Sequence, residues 1–289
     1  MTRVRAFLLF ISITACGPAA VRDGPLVILD DMGRTVTFAA PAQRVVSLLP
    51  AFTEMLFAIG AGDRVVGRSR FDEDPAEALQ VPSVGDGLGP NVEAVLARTP
   101  DLVLIYRATA NNEAVAQLER LGVSVIALRT DLLNDVPRTA RLLGRLTGTA
   151  DSAEVLARVF ENALDSAREV PVMVDAPSAL ILAWDQPPIV IGSGSFQSEL
   201  VQLAGLRNAF AEVGQPSAQV SLEMIVASDP DVILTTSTDS IPAWARRPEW
   251  RAVRAVREGR FVRFDGTAFG HPSFRALHAV RLLQARVAP

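Results

Sequence analysis

Hydrophobic residues recur along the chain in two alternating patterns. Short, almost wholly apolar runs such as Arg44–Leu48 predict strands that are buried on both faces. Between these runs apolar residues recur at helical spacing, as in Phe52–Ile59, and Gly60 closes that helix. A strand, a loop and a helix in this order predict a parallel α/β lobe.

The same alternation continues through both halves of the chain. The other predicted strands are Leu26–Leu29, Thr35–Phe38, Arg64–Gly67, Leu102–Tyr106, Val123–Leu128, Ala179–Trp184, Ile189–Ile191, Val232–Leu234 and Phe261–Phe264. The other predicted helices are Asn112–Leu121, Asp135–Gly148, Phe196–Ala204, Pro248–Arg257 and Pro272–Val287. The first two strands flank Asp31–Arg34 and predict a hairpin. Asp265–His271 is predicted to be a loop.

One helix-and-strand segment occurs twice. Residues 91–104 return 130 positions later as residues 221–234, with Glu, Ala, Pro, Asp and Leu identical between the copies. Each copy starts on a good N-cap residue, Asn91 or Ser221, and a proline, Pro100 or Pro230, separates its helix from its strand. Two copies at so long a period predict two similar lobes rather than a solenoid.

Each copy also places a glutamate, Glu93 or Glu223, in the first turn of its helix. A carboxylate at that position complements the helix dipole, and this alone explains either residue. Equivalent positions in two lobes also suit a single external partner that spans both lobes. The sequence leaves both interpretations open.

Residues 150–170 have apolar side chains at helical spacing over about five turns. No strand pattern interrupts them, so we expect one long helix that joins the lobes more stiffly than a loop could. The predicted division is an N-terminal lobe at 26–149, an interlobe helix at 150–171 and a C-terminal lobe at 172–289.

The N-terminus has the features of an export signal. Arg3 and Arg5 precede the apolar stretch Ala6–Ile13, and Ile13–Cys16 resembles a bacterial lipobox. This pattern predicts a leader at 1–15, acylation of Cys16 and a tether at 16–25, and two or more acyl chains suffice for stable anchoring. The protein is then extracytoplasmic, in the periplasm or on the outer face of the cytoplasmic membrane. It contacts the membrane through its lipid anchor only. An ordinary signal peptide with a chance cysteine is the alternative.

Composition excludes several classes of function. The chain has 289 residues and is 49% hydrophobic, which suits two domains with their own cores. A net charge of −4 and a pI of about 5.4 give no support to nucleic-acid binding. Two histidines, seven positions apart, argue against a receptor for bare Zn²⁺ or Mn²⁺, which needs three or four ligands. The chain lacks the Gly-x-Ser-x-Gly motif of a hydrolase, so we assign no catalytic residue and no catalytic cofactor.

Five segments, Arg44–Gly60, Asp63–Gly67, Pro82–Gly85, Asn91–Leu104 and Pro272–Leu283, resemble one known family in residue pattern and order. This family is the helical-backbone class of ABC-importer substrate-binding proteins, whose members take cobalamin, haem or ferric siderophores. The resemblance covers nearly all of the mature chain, and Phe71–Pro75 and Val84–Glu93 look most similar to cobalamin-type receptors. It implies an α/β fold of two similar lobes with mostly parallel central sheets, one rigid interlobe helix and a ligand cleft between the lobes. It also implies a monomeric transport receptor rather than an enzyme.

The resemblance supplies a partner for the two glutamates. In cobalamin receptors one glutamate of each lobe docks onto arginines of the membrane permease dimer, and those positions match Glu93 and Glu223. Charge-assisted pairs between carboxylate and guanidinium groups add orientation to attraction.

The ligand cleft is expected at the carboxyl ends of the strands, where open parallel sheets bind ligands. The candidate ligand-binding residues are Phe52, Phe71, Tyr106, Trp184, Phe196, Phe269 and His271. The leading ligand is cobalamin or another corrinoid, and haem or a ferric siderophore is the alternative. Gly87 and Ser217 stand where the resemblance implies tryptophans, which leaves the ligand open.

Tyr106 and His271 each have two interpretations. Some haem receptors of this class use Tyr or His as an axial iron ligand, and these two residues would approach from opposite lobes. Tyr106 also fits a wall residue with a solvated hydroxyl, and His271 fits a cap of the terminal helix. We assign no metal ligand.

Overall fold

The computed structural model describes residues 24–170, 173, 175–237, 239–264 and 266–287. The predicted leader at 1–15, Cys16 and most of the tether lie outside the described residues.

The first half of the chain forms an α/β lobe. Its elements are β1 (Leu26–Leu29), β2 (Thr35–Phe38), β3 (Val45–Ser47), α1 (Pro50–Ala58), β4 (Val65–Arg68), α2 (Val92–Leu96), β5 (Leu102–Tyr106), α3 (Asn112–Arg120), β6 (Ser124–Leu128) and α4 (Asp135–Thr147). The parallel sheet has the strand order β4-β3-β5-β6, and the apolar run of β5 lies at its centre with helices on both faces.

The predicted hairpin is confirmed as an antiparallel β1–β2 pair. The Asp30 carboxylate accepts hydrogen bonds from the backbone N–H groups of Met32 and Arg34, which closes the turn. It also accepts one from the backbone N–H of Ala127, which ties the hairpin to β6.

The chain then enters α5 (Ala150–Arg168), a helix of 19 residues that begins close to the predicted position. Its buried face, Ala153, Ala157, Phe160 and Leu164, packs on α4. The two helices approach closely at Gly144, where an added Cβ would lie 2.4 Å from that of Ala153. The limits 150–171 for an interlobe helix stay a prediction.

The second half forms a mixed sheet. Its elements are β7 (Ser178–Asp185), β8 (Pro188–Ile191), α6 (Phe196–Leu203), β9 (Arg207–Asn208), β10 (Ser217–Gln219), α7 (Leu222–Ser228), β11 (Val232–Thr235), α8 (Arg254–Arg257), β12 (Phe261–Arg263), α9 (Gly266–Gly270) and α10 (Ala276–Val287). The order is β10-β8-β7-β11-β12, with β9 also paired to β7. Strands β7, β11 and β12 are parallel, whereas β8 and β10 are antiparallel additions.

The repeated segment folds the same way in both halves. Asn91 caps α2 by accepting a hydrogen bond from the Ala94 N–H, and Ser221 caps α7 by accepting one from the Met224 N–H. In each copy the strand that follows, β5 or β11, is central in its sheet. The duplication inferred from the sequence is therefore a duplication of structure.

The repeated aspartates also have the same structural role. Asp101 accepts hydrogen bonds from the backbone N–H groups of Gln43 and Arg44, just before β3. Asp231 accepts them from the N–H and hydroxyl of Ser178, at the start of β7. Each aspartate thereby fixes the register between its own strand and the neighbouring one.

Two predicted helices differ from the structure. Pro248–Ala252 is a 3₁₀ turn that is separated from α8 by the extended residue Val253. Tertiary packing explains the break, because Trp250 is fully buried with its ring 4.5 Å from that of Trp244. The terminal helix begins at Ala276 rather than Pro272, and the predicted loop 265–271 contains α9.

The hydrophobic core continues across the seam between the halves. Leu104 and Met55 of the first half belong to the same buried cluster as Leu200 and Leu283 of the second. Smaller clusters fill the outer face of each sheet. Such a shared core favours a stiff connection between the lobes.

Candidate functional site

A cleft of about 560 Å³ lies between the two halves. It opens at the carboxyl ends of β3, β4, β5 and β6 from the first half, as expected for an open parallel sheet. The first half contributes Leu48, Leu49, Pro50, Arg70, Phe71, Asp86, Gly87, Leu88, Tyr106, Thr130 and Asp131; the second contributes Ile191, Ser195, Phe196, Gln197, Pro216, Ser217, Gly270 and Pro272.

Large apolar side chains stand exposed on the first-lobe rim of this cleft. Phe71 is 55% exposed and Leu88 is 64% exposed. Exposed apolar side chains of this size do not contribute to the core, and neighbouring ones mark a binding surface. The Arg70 guanidinium lies 4.7 Å from the centre of the Phe71 ring and pairs with Asp86 at 2.9 Å. The rim therefore offers exposed apolar surface to a ligand.

A buried polar network holds the loop that carries Phe71. The Ser69 hydroxyl donates to Asp72 at 2.7 Å and accepts from the Phe71 N–H at 3.1 Å. The Thr53 hydroxyl donates to the other oxygen of Asp72 at 2.8 Å. Burial raises the pKa of the Asp72 carboxyl, although these hydrogen bonds act to lower it.

A second group of buried hydrogen bonds holds the loop around Gly87 in the same lobe. The fully buried Asn111 side chain donates to the carbonyl oxygens of Gly87 at 2.7 Å and Tyr106 at 2.9 Å. Gly87 lies so close to the Leu48 carbonyl oxygen that an added Cβ would be 2.4 Å from it. A glycine is thus required where the resemblance implied a tryptophan.

Tyr106 and Asp131 form a hydrogen-bonded pair in the cleft. The phenol donates to Asp131 Oδ1 at 2.6 Å. Burial of the ring, followed by the hydrogen bond to Asp131 and its negative charge, raises the pKa of Tyr106 well above its ordinary value of 10. The hydroxyl is therefore held as a hydrogen-bond donor to Asp131.

Polar contacts cross the seam on two sides of the cleft. On one side the Phe196 N–H donates to the Asp131 carbonyl, and the Leu133 N–H donates to Glu199 at 2.6 Å. On the other, the buried Glu54 carboxylate lies 2.6 Å from His271 Nδ1 and accepts from the Ser273 hydroxyl at 2.5 Å. These contacts fix the width of the cleft.

The structure brings three of the predicted ligand residues, Phe71, Tyr106 and Phe196, to the cleft. It corrects the placement of Phe52 and Phe269, which are fully buried in the core. Helix α1 is buried along most of its length, which encloses Phe52, and Phe269 packs against Phe264 with ring centres 4.1 Å apart.

Trp184 and His271 lie beside the cleft rather than in its wall. Trp184 is 60% exposed and lines a separate hollow of about 260 Å³ at the carboxyl ends of β7 and β11. His271 is flanked by the cleft residues Gly270 and Pro272, but its Nδ1 contacts Glu54.

The sequence model of the family described as periplasmic binding protein matches residues 45–268, which include the larger sheet of each half and most of the residues that line the cleft. The chain belongs to this family. Its members are transport receptors, not enzymes.

Relatives of this binding protein are of matching length. It is 28% identical over 296 residues to the uncharacterized ABC transporter substrate-binding lipoprotein YvrC of Bacillus subtilis, covering 96% of this chain and 94% of that protein. The crystal structure of the periplasmic vitamin B12 binding protein BtuF of Vibrio cholerae matches with a TM-score of 0.72 and 26% identity, over 85% of this chain and 96% of that one. The periplasmic heme-binding protein RhuT from Roseiflexus sp. RS-1 matches with a TM-score of 0.75 and 25% identity, over 85% of this chain and 97% of that one. The chain is thus a substrate-binding protein of an ABC importer that acts outside the cytoplasm.

The two repeated glutamates of the binding protein are both exposed. Glu93 lies in the first turn of α2, and Glu223 lies in the first turn of α7. Hydrogen bonds from the Ser221 side chain and from the Glu223 backbone lower the pKa of Glu223, so this carboxylate is charged at neutral pH. Both are available to a partner.

The described part of the binding protein has no helix with the length and apolar character needed to cross a bilayer. Nor do its described residues bring three His, Cys, Asp or Glu side chains together as a metal site.

Proposed function

We propose that this substrate-binding protein is a lipid-anchored receptor that captures a corrinoid, with cobalamin as the leading ligand, and delivers it to an ABC permease. The observation that carries the proposal is the cleft between the lobes, with its exposed apolar rim and few polar groups. Large planar chelates favour such walls. The vitamin B12 binding protein of Vibrio cholerae has a similar fold over almost its whole length, which supports the same ligand class.

Haem is the second candidate, with ferric siderophores beside it. The similarity to the heme-binding protein RhuT supports haem, and a match to a Fe3+-hydroxamate transport protein from Saccharomonospora viridis supports the fold alone. The Tyr106 phenol already donates to Asp131, and a bond from tyrosinate to iron would require this contact to be given up. This is why the corrinoid stands first.

Permease docking through Glu93 and Glu223 is part of the proposal. Both carboxylates are exposed, and both sit in the first turn of helices that repeat each other. One such group on each lobe suits a dimeric permease whose halves present arginines. Contacts between exposed charges of this kind weaken as the salt concentration rises.

The remaining parts of the proposal are an acylated Cys16 and a monomeric receptor. The lipobox-like segment Ile13–Cys16 supports the anchor, and the relative YvrC is named a lipoprotein. Acyl chains hold the receptor near its permease without any membrane-spanning helix.

Spectral titration of the purified apo-protein tests the ligand assignment. We expect cyanocobalamin to bind with a one-to-one end point and more tightly than haemin or ferric siderophores. Tighter binding of haemin, with a Soret shift that is lost in Tyr106→Phe, would overturn this order in favour of haem.

A further inference from the structure

We infer that Asp131, held in place by Tyr106, selects chelates whose periphery carries amide or ammonium N–H donors and rejects chelates whose periphery carries carboxylates. The inference rests on the proposed function, because it assigns the chemical class of ligand to the same cleft.

Asp131 is fixed at both its main chain and its side chain. Its N–H donates to Asp135 Oδ2 at 3.0 Å, and its carbonyl accepts from Phe196 N–H across the seam. Its Oδ1 accepts from the Tyr106 phenol at 2.6 Å. The carboxylate is therefore preorganised in the cleft wall, and a ligand does not need to order it.

The carboxylate also has capacity for further hydrogen bonds. A carboxylate offers about four lone-pair sites, and the phenol uses one of them. Arg129 Nε lies 3.6 Å from Oδ2, which is too long for a good hydrogen bond, and the Arg129 side chain is 52% exposed. The Asp131 side chain is 17% exposed and lines the cleft, so a ligand N–H can reach it.

The charged side chains of the cleft wall determine the net charge that a ligand meets at Asp131. Among the described residues, three charged side chains line the cleft: Arg70, Asp86 and Asp131. Arg70 pairs with Asp86 at 2.9 Å. Asp131 forms a longer ion pair, at 3.6 Å, with Arg129, which is exposed and does not line the cleft, so the lining side chains themselves carry one net negative charge. Arg107 and Arg129 lie near Tyr106 but are solvent-exposed. Water and salt screen such charges more strongly than they screen a group in the wall.

Ligands with amide or ammonium groups at their periphery and ligands with carboxylates there interact with this wall in opposite ways. A primary amide can donate an N–H to Asp131, and an ammonium group adds attraction between opposite charges. A peripheral carboxylate at neutral pH has no proton to donate and is repelled. Haem carries carboxylates at its edge, whereas the corrin ring of cobalamin carries amides.

A matched pair of corrins provides the test, because ring and metal stay constant while the periphery changes. The first probe is dicyanocobinamide, whose side chains are amides, and the second is dicyanocobyrinic acid, whose side chains are carboxylic acids. We expect the wild-type protein to bind the amide corrin at least tenfold more tightly at neutral pH. Asp131→Asn keeps the size of the side chain and removes its charge, so the preference should shrink to less than threefold. Asp165→Asn, at an exposed position of α5, changes net charge equally and should retain the full preference.

The outcomes distinguish a failure of the role inferred for Asp131 from a failure of the corrinoid assignment. Equal binding of both corrins by the wild-type protein, or an unchanged preference in Asp131→Asn, overturns the role of Asp131 while the corrinoid receptor stands. Failure to bind either corrin rejects the corrinoid assignment and the inference with it. The wild-type preference should also fall as salt concentration rises, a response that a purely steric selection lacks.

Discussion

Thr99 and Asp229 stand at equivalent positions of the repeated segment and share the same backbone conformation. Their φ angles are +45° and +39°, in the left-handed region that non-glycine residues rarely adopt, and no other non-glycine residue in the described ranges has a positive φ. Each lies between a short helix and a central strand. The two lobes thus share a local strain as well as a sequence pattern.

This strain predicts that Thr99→Gly stabilises the protein. A β-branched side chain is unfavourable at positive φ, and glycine adopts it freely, so we expect a gain of about 1 kcal/mol. Asp229→Gly should gain less, because aspartate tolerates this region better and Asp229 bonds Arg254 at 2.8 Å. Thermal unfolding measures both. Thr37→Gly in strand β2 is the control and should destabilise; a lower Tm for Thr99→Gly contradicts the strain.

The repeated Asp231 predicts a specific response to acid. Hydrogen bonds from the Ser178 backbone and hydroxyl lower the pKa of Asp231 to about 2, from an ordinary value of 3.8. A lowered pKa means that the folded state prefers the charged form. The contribution is therefore complete above pH 3.8 and is lost as the pH falls towards 2.

Urea unfolding at several pH values in that window measures the contribution. Asp231→Asn should lose less stability than the wild-type protein between pH 4 and pH 2, because it has no carboxylate to protonate. Asp165→Asn should follow the wild-type curve. Parallel curves for all three proteins rule out the proposed role of Asp231.

Docking predicts that uptake and ligand binding can be separated. Glu93→Ala combined with Glu223→Ala should abolish transport into cells, because each lobe loses its contact with the permease. Ligand affinity should stay within twofold, since neither residue lines the cleft. The matched control is the double variant Glu113→Ala with Glu249→Ala, which removes two other exposed carboxylates. Normal uptake by the Glu93 and Glu223 variant rejects the docking assignment.

Tyr106 can be titrated directly, because it is the single tyrosine of the chain. Its pKa is raised by burial and by Asp131, so the ultraviolet band of tyrosinate should stay below half its full height at pH 10. Asp131→Asn should shift the titration to lower pH, and Tyr106→Phe supplies the blank. Half-ionisation at or below pH 10 in the wild-type protein contradicts a hydrogen-bonded neutral phenol.

Local rules were sufficient to predict much of the fold. The hairpin at Leu26–Leu29 and Thr35–Phe38 has its predicted limits, and the caps Asn91 and Ser221 act as expected. Contacts distant in sequence decide the rest. Trp250 is buried in a 3₁₀ turn within the predicted helix Pro248–Arg257, and Ser273 bonds Glu54 ahead of the terminal helix.

The residues of the cleft also divide into those that local rules predict and those that depend on contacts distant in sequence. Proximity to the carboxyl end of a strand predicted that Phe71, Tyr106 and Phe196 line the cleft, and the structure places them there. Residue type alone could not exclude Phe52 and Phe269, which are buried in the core. Asp131 and Asn111 were missed, because their importance comes from bonds to residues 25 and 24 positions away. A polar residue just after a predicted strand, as Asp131 is after β6, was the available signal.

Equilibrium binding of cobalamin to the wild-type protein and two variants tests the central claim most directly. Phe71 is exposed on the cleft, whereas Leu79 is an exposed apolar residue outside it, so Phe71→Ala and Leu79→Ala form a matched pair. We predict a tight one-to-one complex for the wild-type protein and Leu79→Ala, and about tenfold weaker binding for Phe71→Ala through loss of ring contacts. The same affinity in all three proteins, or no binding by the wild-type protein, contradicts a corrinoid receptor that uses this cleft.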